Sequence, residues 1–75
     1  MNTNQQLSGM IAVYNDTVLN AQFSYSVNTS NNKVTYTITC YWKKRNIRGE
    51  CPFNDYKDAA FYFSGLPSVS KMEMI

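Results

Sequence analysis

The chain has 75 residues, a formal net charge of +2 and no histidine. A chain of this length forms one small domain, which buries only roughly 60% of its unfolded surface. The lack of histidine removes the commonest general base and a major metal ligand. No segment approaches the ~18 consecutive apolar residues of a membrane span. The composition therefore predicts a non-catalytic protein without a cofactor, a metal ion or a transmembrane segment.

In chain order, residues 1–8 are predicted to be a flexible arm, and the short apolar run at residues 9–14 is predicted to be a first strand. Residues 18–28 form the second predicted strand, because apolar and polar side chains alternate there with a period of two. The apolar face of this second strand consists of Leu19, Ala21, Phe23, Tyr25 and Val27.

The third predicted strand, at residues 33–42, alternates in the same way, and a polar turn at residues 29–32 separates it from the second strand. Folding the chain at this turn places every apolar residue opposite another apolar residue. A slip of one residue would reverse every face. The predicted pairs are Val27 with Val34, Tyr25 with Tyr36, Phe23 with Ile38, and Ala21 with Cys40.

Beyond residue 48 the pattern is weaker. Residues 50–53 are predicted to be a short edge strand, because Pro52 has no N–H to donate to a neighbouring strand. Residues 54–58 are predicted to be a turn or a single helical turn. Residues 59–64 are predicted to be a last strand with Phe61 and Phe63 inward, which ends at residues 65–68. Residues 69–75 form a predicted C-terminal tail.

These segments predict an all-β protein with one domain at residues 9–68. The expected architecture is a small antiparallel meander of about five strands that forms a sandwich or a partly open barrel. The third strand is expected to be central, because an uncharged β segment without proline is prone to aggregate when it is unpaired.

Cys40 and Cys51 both fall on the predicted inward face. If the hairpin is centred between Arg45 and Asn46, the two cysteines are directly opposed and a disulfide is predicted. The alternative is a pair of buried, reduced thiols. A disulfide would favour a secreted or extracellular protein, and reduced thiols a cytoplasmic one.

Charge is concentrated just after the third strand, and residues 1–42 carry only Asp16 and Lys33. Tyr41 and Trp42 directly precede this basic segment, which is therefore the predicted binding loop. The candidate binding residues are Tyr41, Trp42, Lys43, Lys44, Arg45, Ile47 and Arg48.

The expected function is binding of a macromolecular partner, either a protein or an anionic surface, and a toxin, effector or inhibitor would fit this description. Single-stranded nucleic acid is an alternative partner, because aromatic side chains can stack on bases while cations hold phosphates. Self-assembly into a structural protein is a third hypothesis. The uncharged Ser/Thr face of the second and third strands is another candidate contact surface, and the sequence leaves the oligomeric state open.

Overall fold

The computed structural model describes the backbone of residues 6–74 and the side chains of residues 7–74. Its strands form one antiparallel sheet in the order β1-β2-β3-β4, and a helix, α1, packs on one face against β2, β3 and β4. The elements are β1 (Gln6–Asn15), β2 (Leu19–Asn28), β3 (Lys33–Trp42), β4 (Ile47–Phe53) and α1 (Tyr56–Glu73).

The predicted antiparallel meander is confirmed, with β3 inside the sheet and β4 at an edge. The described residues differ from the prediction in two respects. They form four strands and a helix rather than about five strands. The sheet is also open, with α1 covering one face, instead of closing into a sandwich or barrel.

The β2–β3 hairpin has the predicted register throughout. With the turn at residues 29–32, the apolar side chains of both strands, apart from Tyr41, lie on the face that carries α1. The pairs are Val27 with Val34, Tyr25 with Tyr36, Phe23 with Ile38, and Ala21 with Cys40.

Two of the three hairpin turns end in an asparagine with a positive φ angle. Asn32 (φ 58°) closes the β2–β3 turn, and Asn46 (φ 54°) closes the β3–β4 turn. Asparagine tolerates this left-handed conformation better than most residues. In the second turn, Trp42 pairs with Ile47 across residues 43–46. The centre of that hairpin therefore lies between Lys44 and Arg45.

This centre is one residue earlier than predicted, so the β3–β4 register differs by two residues. Cys40 lies opposite Gly49, and Cys51 lies opposite Ile38. Cysteines in such diagonal positions have Cα atoms ~7–8 Å apart, which is beyond the usual range for a disulfide. Both are free thiols. The predicted Cys40–Cys51 disulfide is therefore wrong for this fold, and the argument for secretion that depended on it no longer holds.

The prediction of a strand at residues 59–64 is also wrong, because these residues belong to α1. The alternation of Phe61 and Phe63 around Tyr62 resembled a strand. However, the side chains that contact the sheet recur at helical spacing. They are Ala59, Phe63, Leu66 and Ser70.

The ends of α1 show why the chain is helical here. Asp55 is the N-cap residue, and its carboxylate accepts a hydrogen bond from the backbone N–H of Lys57. Asp58 in the first turn and Lys71 in the last turn have charges that favour the helix dipole. Pro67 lies inside α1, where it cannot donate a backbone hydrogen bond. Packing against the sheet therefore has to offset a local cost.

Regular elements extend on both sides of residues 9–68, the predicted domain. Residues 6–8 of the predicted arm pair in β1, whereas residues 1–5 lie outside the described part of the chain. Most of the predicted tail at residues 69–75 is the last part of α1, and residue 75 lies outside the description.

The core lies between α1 and the centre of the sheet. Phe23 is its middle, since its ring centroid lies 5.5 Å from that of Phe63 and 5.6 Å from that of Tyr56. The buried core residues are Leu19, Ala21, Phe23, Ile38, Cys40, Ala59 and Leu66.

Candidate functional site

An apolar groove of about 520 Å³ opens between α1 and the β3–β4 side of the sheet. Its volume lies within the range of natural binding sites for small molecules and side chains. Asp58 is its one charged lining residue among those the structure describes. The lining residues are Trp42, Phe53, Asp58, Phe61, Tyr62, Gly65, Leu66 and Val69.

One wall of the groove is a second stripe along α1. Residues 58, 61, 62, 65 and 69 lie on one side of a helix with 3.6 residues per turn. Phe61 is 82% exposed, which is unusual for a phenylalanine in a small protein. At Gly65 an added Cβ would meet no atom within 4 Å. This glycine therefore leaves part of the groove open.

The opposite wall comes from the sheet. Trp42 ends β3 on the face that carries α1, and Phe53 ends β4 on the same face. The ring of Phe53 lies against Tyr62 with the centroids 5.6 Å apart, so strand and helix meet at this end of the groove. Trp42 is thus the predicted binding residue that lines the groove.

Two of the four clustered cations make contacts within the chain. The Lys43 ammonium donates to Asn15 Oδ1 at 2.8 Å and to the backbone oxygen of Asp16 at 2.6 Å. Arg45 Nη2 donates to both carboxylate oxygens of Glu73, at 2.8 and 2.7 Å. These contacts tie the basic turn to the β1–β2 loop and to the end of α1.

The remaining predicted residues lie on different faces. Tyr41 pairs with Arg48 on the face of the sheet away from α1, and its hydroxyl hydrogen-bonds to Asn46 Oδ1 at 2.8 Å. Ile47 lies beside Trp42 on the helix face and is exposed. Lys44 and Arg48 form no ion pair within residues 7–74. The predicted loop is therefore two surfaces, one on each face of the sheet.

A cluster of thiol and phenol groups lies beside the groove. Cys51 Sγ is 3.7 Å from the hydroxyl oxygen of Tyr62. The hydrogen bond with Cys51, together with burial, raises the pKa of Tyr62 to about 12. Burial also raises the pKa of the Cys40 thiol. Tyr62 therefore stays a neutral hydrogen-bonding group at physiological pH, and Cys40 stays a protonated thiol.

Thiol labelling checks the arrangement of the cysteines. Under native conditions, we expect Ellman's reagent to modify the half-buried Cys51 well before Cys40, which is 6% exposed and whose thiolate is disfavoured by burial. Denatured, unreduced protein should show two free thiols. Cys51→Ser should remove the fast reaction, and Cys40→Ser should leave it unchanged. Denatured protein without free thiols would contradict the structure.

Asp16 connects the C-terminal part of α1 to the sheet through Ser70. Its Oδ1 accepts hydrogen bonds from the backbone N–H groups of Val18 and Leu19, both at 2.7 Å. Its Oδ2 accepts from the Tyr14 hydroxyl at 2.6 Å and from the hydroxyl of buried Ser70. The carboxylate therefore joins the β1–β2 loop to α1.

This hydrogen bonding changes the acidity of the carboxyl group. Partial burial by itself raises the pKa of Asp16, but the hydrogen bonds from Ser70, Tyr14 and the two backbone N–H groups lower it by more. The resulting pKa lies well below the usual range for aspartate. The hydrogen bond to Asp16 raises the pKa of Tyr14. This cluster is a structural joint between the β1–β2 loop and α1, and no local sequence pattern predicts it.

Most of the groove was also missed from the sequence. A usable signal was Asp55, a good N-cap residue, followed by apolar residues at positions 59, 63 and 66. Gly65 and Pro67 obscured this signal, because both usually end a helix.

Fold and site together define a small antiparallel sheet with one helix on one face and an apolar groove beside it. Comparisons of the chain with protein-family models, curated proteins and solved structures find no match. Within the part of the chain that the structure describes, no helix has the length and apolar character to cross a membrane. No group of three potential metal ligands occurs among the same residues.

Proposed function

We propose that the protein is a non-catalytic binding module whose groove takes up an apolar segment of a polypeptide partner. The observation that carries this proposal is the open apolar groove, in which Phe61, Tyr62 and Val69 remain exposed. Exposed apolar clusters of this kind mark contact surfaces in soluble proteins.

The relative sizes of the interactions favour the groove over the basic turn as the main source of affinity. Burial of one large apolar side chain contributes about 1.5–3 kcal/mol. An exposed ion pair typically contributes about 0–1 kcal/mol. Two cations of the turn, Lys43 and Arg45, already contact acceptors within the chain. Apolar contacts would therefore supply most of the binding energy.

The charges of the rim favour a particular orientation of the partner. Lys44 follows Trp42 closely in the basic turn, at one end of the groove, and Asp58 lines the groove near the start of α1. Complementary charges steer association and set its direction more than they add affinity. We expect the bound segment to carry acidic residues at the Trp42 end.

Selection from a random peptide display library tests the proposal without knowledge of the natural partner. We expect selected peptides to combine aromatic or aliphatic residues with Asp or Glu, and to change the fluorescence of Trp42, the only tryptophan in the chain. Gly65→Leu should reduce binding at least tenfold, because its side chain would enter the open part of the groove. Lys44→Glu should weaken binding by a smaller factor.

Gly65→Leu also separates loss of binding from loss of folding. A glycine inside a helix costs roughly 0.5–1 kcal/mol relative to a better helix former. The variant should therefore be at least as stable as the wild type. Ser64→Leu is the matched control, since residue 64 precedes Gly65 but does not line the groove. Equal binding by Gly65→Leu and the wild type would refute the proposal.

Single-stranded nucleic acid remains the second candidate, because Tyr41 and Arg48 lie side by side on the other face of the sheet. A labelled oligonucleotide at two salt concentrations distinguishes the two. Binding that falls steeply with salt and is lost in Lys44→Ala/Arg48→Ala, but survives in Gly65→Leu, would favour nucleic acid over the groove.

A further inference from the structure

The two edge strands of the sheet, β1 and β4, differ in length and in their content of charged residues and proline. Strand β4 has seven residues and carries Arg48, Glu50 and Pro52. Strand β1 has ten residues and contains neither a charge nor a proline. Charges and prolines are the usual devices that prevent an edge strand from pairing with another chain. A β-bulge can also protect an edge strand. In β1 the pairing is irregular between Met10 and Ala12.

This irregularity determines which side chains of β1 lie on the same face of the sheet. Met10 lies opposite Ser24 and Val13 lies opposite Gln22, so both point away from α1 although they are three residues apart. Met10 is 53% exposed and Val13 is 56% exposed. Ile11, the extra residue between the two registers, is exposed as well.

We propose that β1 pairs antiparallel with β1 of a second copy of the chain, so that two four-stranded sheets join into one. We expect the register in which Met10 of each copy lies opposite Val13 of the other, because it keeps residues of the same face of the sheet opposite each other. In this register Ser8 meets Asn15, both on the face away from α1, and Gly9 meets Tyr14, both on the helix face.

A second copy fits this edge for three reasons. The register is self-complementary, so each favourable pair occurs twice about a two-fold axis. The strand is uncharged, so self-pairing brings no like charges face to face. Helix α1 packs mainly on β2, β3 and β4, so neither helix obstructs the edge. Pairing through one strand is a small interface, and we expect a weak dimer that dissociates on dilution.

Sedimentation velocity of the full chain from about 1 to about 200 µM tests this proposal. We expect a monomer at the low end and a dimer at the high end. Met10→Lys/Val13→Lys should raise the dissociation constant at least tenfold, because the introduced lysines would face each other across the interface. Met10→Glu/Val13→Glu should do the same. An equimolar mixture of the two variants should again form a dimer, since lysine then faces glutamate.

Val69→Lys/Met72→Lys is the control, because these exposed residues lie on α1 and not on β1. It should leave the dimer intact, and circular dichroism should show the same fold for all variants. A wild type that stays monomeric at about 200 µM would overturn the proposal. A dimer that survives in Met10→Lys/Val13→Lys, or a mixture that fails to restore it, would overturn it equally.

Discussion

Replacement of Leu66 by alanine is expected to lower the free energy of unfolding by about 2–5 kcal/mol. Leu66 is 3% exposed and packs in the core between α1 and the sheet. A domain of this length has a total stability of only about 4–11 kcal/mol. One such change can therefore remove a large part of the stability. Urea denaturation followed by circular dichroism measures the difference.

Phe61→Ala is the matched control for this prediction. Phe61 lies on the same helix and is larger than Leu66, but it is 82% exposed. Its replacement should change stability by no more than about 0.5 kcal/mol. A strand at residues 59–64 would instead bury Phe61 and make this change costly. If Phe61→Ala destabilised the protein as much as Leu66→Ala, the helical packing described above would be wrong.

Asp16→Asn is expected to destabilise the protein at neutral pH and to remove much of its sensitivity to acid. The side chain would still fit, but it would no longer bring a negative charge to the hydroxyl groups of Tyr14 and Ser70. Hydrogen bonds to a charged acceptor are stronger than those to a neutral one. The difference from the wild type should be largest at neutral pH.

The sign of the pH dependence follows from the lowered pKa of Asp16 in the folded state. Below about pH 4 the unfolded chain binds a proton at this aspartate while the folded chain does not. The stabilisation by the charged carboxylate is therefore complete above about pH 4. It declines as the pH falls from there towards the folded-state pKa. The wild type should lose stability over this acidic range, and Asp16→Asn should lose less.

Ser70→Ala provides an independent measure of the same joint. Ser70 is fully buried, and loss of its hydrogen bond to a charged acceptor should cost about 1.5–3 kcal/mol. In a double-mutant cycle, Asp16→Asn and Ser70→Ala should be strongly coupled, because the two side chains contact each other. Asp58→Asn is the control, since this exposed carboxylate is in the first turn of α1, at the opposite end of the helix from Ser70. Additive effects of the two changes would contradict the described contact.

The two proposals use opposite sides of the molecule. The groove lies between α1 and the β3–β4 side, whereas the proposed dimer contact lies along β1 at the other edge of the sheet. A dimer would therefore leave two grooves open. Because the two grooves would then belong to one dimer, a partner with two matching segments could bind both and would have a higher apparent affinity.

The β2–β3 hairpin could be predicted residue by residue because two strands with strict alternation have one register that matches their faces. The β3–β4 hairpin could not, because its register depends on the turn. The left-handed conformation of Asn46 ends the turn one residue earlier than expected, and this separates Cys40 from Cys51.

The candidate site was predictable only in part. Trp42 could be recognised as an aromatic residue beside a basic turn, and it does line the groove. Lys43 and Arg45 are less available to a partner because they bind Asp16 and Glu73, which are far away in sequence. No local sequence pattern predicts contacts between residues so far apart in the sequence.

The antiparallel meander, the faces of β2 and β3, and the position of β4 at an edge follow from local sequence, because a period of two and Pro52 predict them. The helical conformation of residues 56–73 depends instead on packing against the sheet. Gly65 and Pro67 weaken the helix locally, whereas the apolar face of the sheet stabilises it by burying Leu66 and its neighbours. The groove exists because that helix covers the sheet incompletely.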